Sequence, residues 1–436
     1  MVVGGGPAGI AAAVSAARQG RKVLLVDNNG YLGGMATAGL VGPFMTCYDS
    51  KGERQVIKGI YEELVLRMEE KGLAIHPSKC AAGTSYSSYI TSGHHNVGPF
   101  DSEGLKREVE LMCQEAGVDL LYYATFVKAE MDANGKEIQG LVFATKGRLF
   151  LLKAQIYIDC TGDGDVAASA GVPMEIGREQ DGLIQPASLF FEINGADRDE
   201  VVKGHANDPE DGWLYRDIVA RVAEAGDYKS PKIKVNFYET VNEGHWKVNT
   251  TRVLNVHSGD PINMTQATIE GREQAHEVFR FMKKYIPGCE NIRLESTAAQ
   301  MGIRESRRMV GEYMLTTEDA TEARQFEDNI CLCGYSLDIH QPDGKGGIHI
   351  YIEGGAYGIP YRALLPKMVD NLLAGGRCIS SSHEAHASLR VMPPCFATGQ
   401  AAGTAAAIAV ADGMQPRHID VKKLQARLVN DSVVLN

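Results

Sequence analysis

The sequence predicts an α/β fold organised around a β-α-β unit at its start, and three observations carry that prediction. A short β-branched run, Val2-Val3, leads into Gly-x-Gly-x-x-Gly at Gly4, Gly6 and Gly9. An Ala-rich segment, Ile10 to Arg18, reads as helix and stops at Gly20; the apolar strand Lys22–Val26 follows, with Asp27 at its carboxyl end. Further on, strand-like runs joined by tight turns fill 118–158, whereas from 172 to 317 the periodicity changes and no glycine fingerprint recurs. Strand, glycines, helix, strand and acid in this register form a dinucleotide-binding fingerprint in its proper context. The glycines let the backbone turn sharply and approach a pyrophosphate, whose charge the helix N-terminus stabilises. Asp27, about twenty residues on, is placed to accept hydrogen bonds from a ribose hydroxyl.

The other elements follow in order. After Asp27 and Asn28 comes a Gly-rich loop, Gly30 to Gly39, whose pair Gly33-Gly34 a plain nicotinamide domain does not require; a flavin enzyme needs small residues there, where the chain passes close beneath the ribityl and the ring. Lys58 to Lys71 has Ile60, Leu64 and Met68 at helical spacing, with Gly72 as its stop. Residues 73–100 are polar and read as a loop over the surface or the site. Asp101 or Ser102 caps the next helix, which ends at Gly117 and feeds the strand Val118–Tyr123. Three runs, Thr125–Met131, Ile138–Thr145 and Leu149–Ile158, are joined by Asn134-Gly135 and Lys146-Gly147 and form a three-stranded meander. The third opens into Asp159-Cys160-Thr161-Gly162-Asp163-Gly164, a second turn into a helix N-terminus. Thr265 to Tyr285 is a long amphipathic helix, and 300–309 is a basic stretch in apolar surroundings. Near the end, the strand Asn371–Ala374 opens at Gly375-Gly376-Arg377, and a helix of small residues starts around Ala397-Thr398-Gly399-Gln400. Its amino end is expected against the cofactor.

Composition excludes several classes. A chain of 436 residues supports two or three lobes, and 44% hydrophobic with 23% charged residues is ordinary for a globular protein. A formal net charge of −11 with no basic block argues against a nucleic-acid partner. No apolar run approaches the roughly 20 residues of a membrane span, and no secretory leader is visible. Met1 directly precedes Val2-Val3, so either the first strand is short or residues precede this chain. Nine scattered cysteines fit a reducing, cytoplasmic setting better than a disulfide framework.

Taken together, these pieces resemble the FAD-dependent oxidoreductases of the glutathione-reductase-like two-dinucleotide-binding class, in the branch similar to fumarate reductase and succinate dehydrogenase flavoproteins. A widespread bacterial group of FAD-dependent oxidoreductases is similar as well. The matching pieces are Gly4–Gly9 with Asp27, Leu32–Thr37, Asp159–Gly164, Gly302–Arg308, Tyr335–His340, Ile359–Arg362, Ala374–Arg377 and Arg390 through Gly403. The resemblance implies a Rossmann-like FAD-binding domain with a three-stranded β-meander and an inserted α+β cap or substrate domain. Its expected bounds are 1–171 and 331–436 for the two parts of the FAD-binding domain and 172–330 for the cap. It further implies that Gly4, Gly6, Pro7, Ala8 and Gly9 hold the pyrophosphate, with Asp27 and Asn28 at the adenosine ribose. Val127 would meet the adenine by its backbone. Gly34, Met35, Thr161 and Gly162 would line the middle of the cofactor, and Arg377, Gln400 and Ala401 the ribityl and ring. Two departures stand out: Arg377 replaces an Asp of many relatives, and no His lies in Gly33–Gly39, so FAD is expected to be non-covalent.

The redox chemistry belongs to the flavin, and protein groups orient substrate and move protons. His383, Arg390, Arg304 and His340 are the candidates for that work: an Arg binds a carboxylate bidentately and a His transfers a proton near neutral pH. If helical, His383, His386 and Arg390 share one face. Arg307 and Arg308 are read as pairing with Glu305 and Glu312 in a solvated helix. His94-His95 reads as polar loop and no metal site is expected; Cys331 and Cys333 read as buried strand thiols. The expected activity is hydride transfer between flavin N5 and a small polar organic substrate, as dehydrogenation or reduction, with an electron donor or acceptor that the sequence does not name. A non-redox flavoprotein (lyase, hydratase or isomerase) and a flavin subunit of a larger electron-transfer complex are the alternatives, and a homo-oligomer is compatible with any of them.

Overall fold

The computed structural model describes residues 1–91, 93–206, 215–344 and 346–436. Ser92 of the polar loop and 207–214 of the expected cap lie outside the described residues.

A five-stranded parallel sheet is assembled from distant parts of the chain, in the order Leu372–Ala374, Tyr157–Asp159, Val2–Val3, Leu24–Val26, Asp119–Leu121. The opening strand has two residues, and it is stable because it is central: Val2 and Val3 pair with Leu25 and Val26 on one side and with Ile158 and Asp159 on the other. The helix Pro7–Arg18 follows, one turn earlier than its Ala-rich stretch suggests, because proline fits the first helical turn.

That helix lies along Met392–Asp412, and glycines set the spacing. A Cβ on Gly399 would fall 2.1 Å from the Ala8 carbonyl oxygen, and one on Gly403 2.1 Å from that of Ala12. Ser15 and Thr404 complete the contact with a 2.7 Å hydroxyl pair. The small residues around Gly399 therefore serve helix packing, and the helix begins seven residues earlier, at Met392.

The meander forms as Thr125–Met131, Ile138–Thr145 and Arg148–Leu152. The third expected run divides into two strands. The chain turns at 153–156, where the Ala154 amide donates to the Tyr157 hydroxyl at 2.9 Å, and Tyr157–Asp159 joins the central sheet instead.

Between these parts lies a four-stranded antiparallel sheet, ordered Phe237–Glu239, His245–Val248, Phe191–Asn194, Arg293–Thr297. With the helix Pro261–Tyr285, capped by Asp260, it has its own apolar core around Phe191, Phe237, Trp246, Val278 and Phe281. The basic stretch is extended and buried, which corrects the expected solvated helix. Arg307–Met309 pairs with Met174–Ile176, and Arg308 is enclosed by Glu305, the Ser381 carbonyl at 2.9 Å and the Gly177 carbonyl at 2.8 Å. Among the described residues, no helix is long and apolar enough to cross a membrane.

Candidate active site

The carboxyl ends of four parallel strands open into one cavity of about 1180 Å³, lined by Val3 to Ala8, Val26 to Asn29, Cys160 to Asp163 and Gly375 to Arg377. Ligands of open parallel sheets bind at this edge. The volume exceeds the roughly 300–1,000 Å³ of a pocket for one small ligand, so a dinucleotide and a substrate can share it.

At the sheet end, close backbone contact shapes the floor. A Cβ on Gly4, whose φ is +97°, would lie 2.3 Å from the Cys160 carbonyl oxygen, and one on Gly34 would lie 2.9 Å from the Gly6 Cα. The opening turn, the 33–37 loop and the 160–162 turn thus touch. Gly9 is not in the wall; it presses the helix onto the strand, where a Cβ would meet the Gly4 carbonyl oxygen at 1.8 Å. Asp27 accepts from the Gly5 amide at 2.6 Å and from the Asn29 amide at 2.7 Å, bracing the turn. Burial raises its carboxyl pKa, and these bonds oppose that. Arg377 pairs with Asp163 and donates to Ser306 at 3.0 Å, spanning the turn from 161 to 164.

The opposite end is cationic. Arg252, Arg304, Arg390, Lys232 and Lys234 line it together with His94, Tyr238, Tyr335, Asp338, His340 and His349. Arg304 Nη1 is anchored on the Pro186 carbonyl at 2.7 Å and Ser188 Oγ at 2.9 Å. Burial, with Arg390 and Arg252 beside it, pushes its pKa down to about 9. Arg390 Nε is buried and, among the described residues, has no partner. Burial and the neighbouring cations hold the Lys232 ammonium well below its usual range. Asp338 is the counter-charge: burial would raise its carboxyl pKa, but His340 and His349, at 3.2 and 3.0 Å, hold it well below the usual range.

Besides Gly9, four expected contacts are placed elsewhere. Val127 is the bulged residue of its strand, half exposed, and Ala124, Thr125 and Phe126 reach the cavity in its stead. Gln400 and Ala401 are buried two turns below the helix start; Gln400 Oε1 accepts from the Ile60 amide at 3.0 Å, and Val391 and Met392 face the cavity. His383 does lie on a helix, His383–Leu389, but is buried against Glu305 at 2.8 Å, outside the cavity wall. It reaches the site indirectly: Glu305 Oε2 accepts from the Gln185 amide at 3.0 Å, and Gln185 Oε1 accepts from Arg390 at 3.5 Å. Arg304, His340, Arg390, Gly4, Gly6, Pro7, Ala8, Asn28, Gly34, Met35, Thr161, Gly162 and Arg377 all line the cavity.

Arg252, Lys232, Tyr238, His94 and Asp338 are site residues that sequence reasoning missed. Asp338 alone had a local signal, since it alternates with His340 along one strand and so shares its face.

The sequence profile described as FAD dependent oxidoreductase matches residues 1–428. The chain belongs to that family. It is an FAD enzyme, and the residues at the sheet end fit the cofactor. The first turn of Pro7–Arg18 has no side-chain cap, and Gly6, Pro7 and Ala8 line the cavity, so the free amides of that turn would be available to a pyrophosphate. Some solved structures are similar at low identity. The flavin-dependent brominase Bmp2, as a triple mutant, has 13% identity and a TM-score of 0.49 over 98% of this chain and 83% of its own. A geranylgeranyl bacteriochlorophyll reductase-like protein from Thermoplasma acidophilum has 12% and 0.47, over 99% and 83%. The myxobacterial chondrochloren halogenase CndH has 10% and 0.48, over 98% and 77%. No sequence among the curated proteins matches the chain.

Proposed function

We propose that this FAD-dependent oxidoreductase transfers hydride between flavin N5 and a small organic acid whose carboxylate is held by Arg304 and Arg390. The observation that carries this reading is the buried Arg390 Nε without an acceptor among the described residues, in a wall shared with Arg304, Arg252 and Lys232. A buried guanidinium donor calls for an acceptor, and a carboxylate supplies a planar pair of oxygens that matches it. Burial first, and then Arg390 and Arg252, lower the Arg304 pKa against the single charge of Asp338, so an anionic ligand relieves the repulsion among these cations.

Bound FAD supplies the two-electron chemistry; the residues named here bind and orient. Arg304, fixed by Pro186 and Ser188, keeps its other nitrogens for substrate. Arg377 is assigned to the cofactor side, beside Thr161 and Gly162. FAD is held non-covalently in this reading, and 1–171 with 331–436 form its domain around a cap at 172–330. Nine unpaired, buried cysteine thiols support a reducing, cytoplasmic setting.

The test is anaerobic mixing of the FAD-loaded protein with separate pools of organic acids, neutral sugars and steroids. The acid pool is expected to bleach the flavin bands. Bleaching by a neutral pool alone contradicts the assignment.

A further inference from the structure

His94 sits in the polar segment between the helices Ile60–Glu70 and Ser102–Glu115. That segment is stitched to the antiparallel sheet: Ser88 Oγ accepts from the Phe237 amide at 3.1 Å, and Ser85 hydrogen-bonds Glu239. Phe44 and Gly98 exchange backbone hydrogen bonds at 2.9 Å. So held, His94 is 8% exposed and forms part of the wall that Arg304 and Arg390 also line. Its ring stacks near Tyr238, with centroids 6.3 Å apart and planes 28° apart. Nδ1 is buried and has no partner among the described residues. A buried ring nitrogen without a partner is uncommon. With the ring proton on the other nitrogen, Nδ1 is a free acceptor.

We propose that His94 Nδ1 takes the hydroxyl proton of a 2-hydroxy acid held by Arg304 and Arg390, while hydride leaves the adjoining carbon for bound FAD. This inference rests on the carboxylate reading above and deepens it. The step balances: the O–H bond breaks and its proton goes to Nδ1, the C–H bond breaks and its electron pair goes with hydrogen to FAD, and C–O becomes C=O. The substrate loses two electrons and FAD gains them. A hydroxyl, unlike an ammonium group, enters this cationic pocket without repulsion, which selects hydroxy over amino acids. Asp338, His349, Lys234 and Tyr238 face the ring. Burial outweighs the attraction of Asp338 and pushes the pKa down to about 4, so the ring is neutral at pH 7 and Nδ1 carries a lone pair there.

The experiment mixes FAD-loaded wild type, His94→Gln and His94→Ala anaerobically with glycolate, lactate, malate or tartrate and follows flavin absorbance. At least one acid is expected to bleach the wild type. With that acid, His94→Gln is expected to lower the limiting rate about 10²–10⁴-fold, the usual range for a lost general base. FAD content and the dependence on acid concentration should be unchanged, and added imidazole should restore part of the rate in His94→Ala. A wild-type limiting rate in His94→Gln overturns the inference and leaves the carboxylate reading standing. A changed concentration dependence at an unchanged limiting rate assigns His94 to binding and overturns it too. Absence of bleaching of the wild type by all four acids, with bleaching by a neutral pool, overturns both.

Discussion

Arg252 Nη2 lies 3.2 Å from His340 Nδ1, and this contact determines where the imidazole carries its proton. A guanidinium only donates, so Nδ1 accepts and Nε2–H points at Asp338, 3.2 Å away. His340 therefore has both nitrogens engaged, and its burial drives the pKa to about 3, with Asp338 opposing. It acts as a strut between Arg252 and Asp338.

Asp338→Asn removes the counter-charge of the cluster. Breaking one partner out of a buried ionic group leaves the other charges uncompensated, and the expected loss is about 3 kcal/mol in urea unfolding at pH 7. The His349 pKa, raised by its bond to Asp338, should fall in the variant, as histidine NMR would show. A raised folded pKa stabilises below the unfolded value and is lost as pH rises through the folded one, so that stabilisation should disappear from the acid side.

Acidification should destabilise the protein through His94 and His340. Both folded pKa values, about 4 and about 3, lie below the unfolded value near 6.5. Between them the unfolded chain binds more protons, so stability falls with falling pH, by up to about 1.4 kcal/mol per unit for each ring. Urea midpoints at pH 7, 6 and 5 should drop, and His340→Asn should show a shallower slope than wild type.

Gly399→Ala and Gly403→Ala should each force apart the helices Pro7–Arg18 and Met392–Asp412. A Cβ cannot stand 2.1 Å from a backbone oxygen, and overpacking costs roughly 1–3 kcal/mol or more. FAD affinity should weaken with it, because Pro7 and Ala8 line the groove. Gly259→Ala, with nothing within 4 Å, is the neutral control in the same thermal and FAD-titration assays.

Asp27→Asn turns an amide NH₂ toward donors. Either the Gly5 or the Asn29 amide loses its acceptor, which is worth about 1–3 kcal/mol when buried. The FAD dissociation constant should rise roughly tenfold to a hundredfold by the same conversion.

The dinucleotide half was legible because its signals are local. Gly4, Gly6, Gly9 and Asp27 sit in one β-α-β unit, where Gly9 packs on the Gly4 carbonyl and Asp27 accepts from the Gly5 amide. The Gly399 region misled because a stripe of small residues suits helix packing and cofactor contact equally, and the first turn, with Pro393 and Pro394, lies well before it. Arg308 misled because Glu305 three residues away is also the spacing of a solvated helical pair; here the pair is buried in extended chain. The cationic wall was least legible. Lys232, Arg252, Arg304, Asp338 and Arg390 come from five separated segments, and their convergence exists in the tertiary fold alone.

The most direct measurement titrates the FAD-loaded protein with acetate, pyruvate and malonate against acetamide, reading the visible flavin spectrum. The account predicts that a carboxylate perturbs the spectrum, that acetamide does not, and that Arg304→Gln with Arg390→Gln weakens binding by about tenfold to a hundredfold or more while FAD stays bound, as loss of charged hydrogen bonds worth about 1.5–3 kcal/mol requires. Equal binding of acid and amide, or an undiminished carboxylate affinity in the double variant, would contradict it.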